Sequence, residues 1–93
     1  MPARQVVIGS SVGLHARPAS LFTQAAAQAA VPVTIAREGG DPVDARSILL
    51  VLSLGVKHGE TVTLAAEGEG ADPALDDLAS LLAQDLDAAP AGG

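Results

Sequence analysis

The chain contains no cysteine, tryptophan or tyrosine, and its whole aromatic complement is Phe22. Without cysteine there are no disulfides and no thiolate metal sites, which fits a reducing compartment. So few aromatics argue against base stacking, and so against sequence-specific binding of single-stranded RNA. Positive charge is scarce as well: five Lys and Arg face eleven Asp and Glu, for a formal net charge of −6. Nucleic acid would meet net repulsion. No apolar run reaches membrane-spanning length, and Met1-Pro2-Ala3-Arg4 lacks a long apolar signal core. The expectation is a soluble cytoplasmic protein. His58 lies in a turn beside Gly59 with no second histidine at ligand spacing, so it reads as a surface residue. Neither a metal nor a cofactor is expected.

What remains is aliphatic. Apolar residues make up 48% of the 93, enough for one core in one domain. We place that domain at residues 1–89, followed by a frayed tail, Pro90-Ala91-Gly92-Gly93. Charge divides along the chain. Residues 1–66 hold all five bases (Arg4, Arg17, Arg37, Arg46, Lys57) against four acids, net +1, and residues 67–93 hold seven acids and no base. The acidic end reads as a solvated helix face. An acidic partner can approach the other half.

Arg4 to Ile8 reads as a strand, Ser10 to Gly13 as a loop, and Ala16 to about Ala30 as a helix. Pro18 fits that helix only in its first turn, where a missing N–H is harmless. His15 then sits at or beside the N-cap. Ala19, Phe22, Ala26 and Ala29 share the face that meets the sheet. Val31, Val33 and Ile35 alternate with smaller or polar residues as in a half-buried strand. Gly39-Gly40 turns the chain into a short strand over Asp41 to Asp44. Ser47 as N-cap and Gly55 as C′ frame a short helix. Lys57-His58-Gly59 forms a turn, and Val62, Leu64 and Ala66 mark the last strand. Asp72-Pro73 reads as a cap and first-turn proline, ahead of a stripe of Leu75, Leu78, Ala79, Leu82 and Leu86. The order is β-α-β-β-α-β-α. Split β-α-β units of this kind give an α+β fold with helices on one face of an antiparallel sheet.

The chemistry concentrates in Gly13-Leu14-His15-Ala16-Arg17-Pro18-Ala19-Ser20. Free N–H groups and the positive dipole end of a helix favour an anion. The same dipole disfavours imidazolium, which leaves more neutral, nucleophilic ring at pH 7. A phosphoryl group on that ring would be stabilised by the same N–H groups. Arg17 is a cation on the unfavourable end of the helix dipole, so a solubilising role explains it poorly. Its planar guanidinium suits phosphoryl oxygens. A second segment is odd in another way: Ile48, Leu49, Leu50, Val51, Leu52 and Leu54 crowd about two helical turns. One helix face cannot bury them all, so either the helix is deeply enclosed or it carries a docking patch. A hydrolase finds no support, for the sequence has no Ser–His–Asp spacing and no glycine-rich phosphate loop.

The octet, followed by Ser47-Ile48-Leu49-Leu50-Val51-Leu52-Ser53-Leu54-Gly55, resembles the HPr family of histidine-containing phosphocarriers. These serve the bacterial phosphoenolpyruvate-dependent sugar phosphotransferase system. The resemblance runs over almost the whole chain in length and element order, and the separation of the two motifs also matches. It implies an open-faced β-sandwich, with a four-stranded antiparallel sheet and three helices. It implies phosphorylation of His15, on Nδ1, with Arg17 stabilising the phosphoryl group. Enzyme I is the implied donor, and sugar-specific enzyme IIA domains are the implied acceptors. Such a carrier is no enzyme, since it is itself a substrate at both steps. Ser20, Ile48, Leu49 and Leu52 become the implied docking contacts of a monomer. Ser47 aligns with a serine that a dedicated HPr kinase phosphorylates in some members, though it also serves as an ordinary N-cap. Leu50 and Gln24 depart from the pattern and reduce its basic rim. The alternatives left open are a regulatory module of the same fold and a nitrogen-linked paralogue. Keeping both His15 and Arg17 weighs against the regulatory module.

Overall fold

The computed structural model describes residues 2–9, 13, 14 and 16–84. Its elements follow the expected order: β1 (Ala3–Val7), α1 (Ala16–Ala27), β2 (Val33–Arg37), β3 (Val43–Asp44), α2 (Ile48–Ser53), β4 (Thr61–Ala66) and α3 (Ala71–Ala83). The strands form one antiparallel sheet in the order β1-β4-β2-β3. The register places Arg4 opposite Leu64, Val6 opposite Val62, and Ile35 opposite Leu64 from the other side. Side chains alternate across a strand, so Val6, Val33, Ile35, Val62 and Leu64 share the face that the helices bury. Phe22 of α1, Val51 of α2 and Leu75, Leu78 and Leu82 of α3 complete that core. The other face carries Gln5, Thr34, Ala36, Thr63 and Ala65 and stays open.

Several boundaries differ from the sequence reading, and proline explains three of them. Helix α1 stops at Ala27 rather than Ala30. Its last turn tightens as Gln28 N–H donates to Ala25 O and Ala29 N–H to Ala26 O. Pro32 biases Val31 toward extended backbone, so the helix has to unwind before it. Having no N–H, Pro32 and Pro42 also give the ladder no donor, and β2 starts at Val33 and β3 at Val43. Strand β1 runs one residue earlier at each end than expected. The start of α3 is a clearer correction. Gly70, at φ 91°, takes the N-cap position in place of Asp72, and Pro73 falls third in the helix. The Asp72 carboxylate instead receives Arg4 Nη2 at 3.0 Å, while Arg4 Nε donates to Asp76 at 2.8 Å. This fork ties β1 to α3. Its two carboxylates, Asp76 first, raise the Arg4 pKa further above its ordinary value. Leu86 and the tail Pro90 to Gly93 lie outside the described residues.

Candidate functional site

Helix α1 begins at Ala16, directly after His15 in the chain, with Arg17 and Pro18 in its first turn. The first N–H groups of a helix have no partner inside it, and proline there gives up nothing. Pro18 is buried and Arg17 is exposed. His15, and its place at the N-cap, lie outside the described residues. The segment before it is tightly set. Gly13 has φ +81°, and a Cβ there would meet Val56 O at 2.8 Å and Lys57 Cα at 2.9 Å. Leu14 is buried, and its N–H donates to Val56 O at 2.9 Å. Gly13 therefore lets two backbone segments touch, as only a residue without Cβ can.

Among the described residues, ion pairs occupy Arg4, Arg37 and Arg46 and none involves Arg17 or Lys57. Arg17 is exposed in the first turn of α1. One turn on, Ser20 is half-buried. Its hydroxyl accepts from Gln24 Nε2 at 3.0 Å, and its carbonyl accepts from Thr23 Oγ1 at 3.1 Å. Gln24, which the sequence marked only as a departure, therefore anchors a candidate contact residue.

Helix α2 packs against α1 and β3. Ser47 is its N-cap, with Oγ accepting from Leu50 N–H at 3.3 Å. The preceding turn is fixed by Asp44, which accepts from both the backbone N–H and the guanidinium of Arg46. The guanidinium contact, more than the backbone one, holds the Asp44 carboxyl below its ordinary pKa. Within the helix, Leu49 is 77% exposed, Leu50 43% and Ile48 37%, whereas Val51 is fully buried. Leu52 is half-buried against the core. Helix α2 is thus partly exposed and not deeply enclosed, and Leu50 of α2 and Leu21 of α1 are exposed as well.

Sequence reasoning missed the structural role of Arg37. Arg37 closes β2 and donates from Nη1 to Leu54 O at 3.0 Å, at the C-terminal end of α2. A signal existed, because Arg37 follows Val33 and Ile35 on the inward-facing parity of its strand. No group of acids and histidines among the described residues can hold a metal ion. No helix among them is long and apolar enough to cross a membrane.

Comparison with known proteins agrees with this architecture. Residues 2–84 match the family described as the PTS HPr component phosphorylation site. The chain is 51% identical to a phosphocarrier protein HPr of Streptomyces coelicolor, over 97% of each chain. It is 37% identical to the HPr-like protein Crh of Bacillus subtilis, over 92% of this chain and all of that one. Among solved structures, a phosphocarrier protein HPr from Bacillus anthracis superposes with a TM-score of 0.82 at 34% identity, covering 87% of this chain and 95% of that one. A four-stranded open sheet with three helices, in this order of elements and with this extent of sequence identity, places the chain in the HPr family of phosphocarrier proteins of the phosphotransferase system.

Proposed function

We propose that this protein carries a phosphoryl group on His15, taking it from phosphorylated enzyme I and handing it to enzyme IIA domains in the cytoplasm. The observation that carries this reading is the coincidence of the family's phosphorylation-site match with His15 directly before a helix whose first turn holds an exposed Arg17. In each step an unprotonated imidazole nitrogen attacks phosphorus. The bond from phosphorus to the donor nitrogen breaks, and its electron pair stays with the donor. Free N–H groups at the start of α1 favour the added charge. Arg17 binds the equatorial oxygens as charge redistributes. The protein turns nothing over by itself, so it acts as a carrier and not as an enzyme.

Ile48, Leu49 and Leu50, with Ser20 and Leu52 at the border, form the docking surface in this reading. Phosphorylation of Ser47 by an HPr kinase would place negative charge at the start of that surface and so weaken docking. Similarity to Crh makes a purely regulatory module the alternative, and His15 with Arg17 favours the carrier.

Incubation with phosphoenolpyruvate and enzyme I, followed by mass spectrometry without acid, tests the proposal. Label on His15 supports it, and no acid-labile label rejects it. Arg17→Lys is expected to slow transfer roughly ten- to a hundredfold, the scale of one charge-assisted contact of about 1.5–3 kcal/mol. Lysine keeps the charge and loses the planar fork. Transfer at the parental rate would remove Arg17 from the site.

A further inference from the structure

The turn between α2 and β4 is held from two sides. On one side stands Arg37, whose Nη1 donates to Leu54 O at 3.0 Å and whose Nη2 reaches Glu60 Oε2 at 3.2 Å. The other oxygen of that carboxylate, Oε1, accepts the Lys57 N–H at 2.8 Å. One guanidinium and one carboxylate therefore fix Leu54, Lys57 and Glu60 together. On the other side the same turn grips the chain that leads to His15. Ile8 N–H donates to Glu60 O at 2.9 Å, Gly59 N–H to Ile8 O at 3.1 Å, and Leu14 N–H to Val56 O at 2.9 Å. Gly13 lies so close that a Cβ would meet Val56 O, Lys57 Cα and the His58 nitrogen within 3.2 Å.

Gly40 contributes to the same arrangement. A Cβ on it would stand 2.8 Å from Arg37 Cγ, so the bare glycine leaves room for the arginine stem. Gly40 thus permits the orientation in which Arg37 reaches the end of α2.

We infer that Arg37 and Glu60 are positioning residues for phosphoryl transfer: they set segment 54–60, and that segment sets both the end of α2 and the approach of the chain to His15. The inference rests on the phosphocarrier reading. Among the described residues, their side chains bond to Leu54, to Lys57 and to each other. Their effect is geometric, and reacting groups displaced by about 1 Å lose up to about a hundredfold in rate. The pair itself is partly solvent-exposed, so it is a weak source of stability. Loss of the pair should therefore change rate far more than folding.

The experiment compares Arg37→Gln, Glu60→Gln, Arg37→Lys and the double Gln variant as substrates of phosphorylated enzyme I. We expect kcat to fall roughly three- to tenfold in each Gln variant, with KM within about twofold and melting temperature nearly unchanged. The double variant should be no slower than the slower single one, because the two residues act as one unit. Lysine reaches Leu54 O or Glu60 but not both, so it should restore part of the rate. Amide exchange in the unphosphorylated protein gives a second readout, with Leu14 and Lys57 N–H losing protection in both Gln variants. Parental kcat together with parental protection at Leu14 would overturn the inference and leave the carrier reading intact. A parental protein that accepts no phosphoryl group would instead overturn the carrier reading.

Discussion

Replacing His15 with alanine is expected to abolish acid-labile phosphate on the protein altogether. The grip of α1 on the core comes from Pro18, Ala19, Phe22, Thr23 and Ala26, all beyond the substituted position. The variant should therefore melt like its parent while accepting nothing from enzyme I. His58 is the control. It is exposed in the turn between α2 and β4 and is followed in the chain by a strand, not a helix. His58→Gln should keep full labelling. Acid-labile label persisting on His15→Ala would reassign the acceptor.

The second large effect contrasts two neighbours on α2. Leu49→Asp puts a charge where the side chain is 77% exposed, so stability should change by less than about 0.5 kcal/mol. Binding to enzyme I or an enzyme IIA domain should nonetheless weaken at least about tenfold, or about 1.4 kcal/mol, as for an apolar anchor replaced by a charge. Val51→Asp does the reverse. Val51 is fully buried, and an unpaired carboxylate there costs several kcal/mol against a total of about 5–15 for a small domain. That variant should be largely unfolded by circular dichroism. A Leu49→Asp protein that unfolds, or that binds both partners as the parent does, would remove α2 from the docking surface.

Most of the fold was legible because its periodicities are clean. Alternation at Val62, Leu64 and Ala66, and the leucine stripe of α3, identify strand and helix directly. Ser47 and Gly55 frame α2 because capping chemistry is local. Asp72 misled for the opposite reason. Its carboxylate serves Arg4, 68 positions away in the chain, and no local pattern reports such a partner. The apolar α2 helix was legible as an excess of aliphatic residues, but which of them face water depends on how α2 lies on α1 and β3. The Arg37–Glu60 brace stayed hidden because it joins the end of β2 to the turn before β4 through two side chains 23 residues apart.

Alanine occupies much of the interior: Ala19, Ala26, Ala45, Ala66 and Ala71 are all buried. Helices backed by methyl groups lie close to whatever they pack on, and close packing leaves little room for growth. Adding methylenes to a filled core typically costs about 1–3 kcal/mol in forced rotamers and backbone shifts. Here the shift has a direction. Ala19 lies two residues beyond Arg17, so a larger side chain there lifts the very turn of α1 that presents the guanidinium. Crowding, more than cavity formation, is then the way a silent-looking core change reaches the chemistry. A valine at position 19 would be noticed first as a slow carrier and only later as an unstable protein.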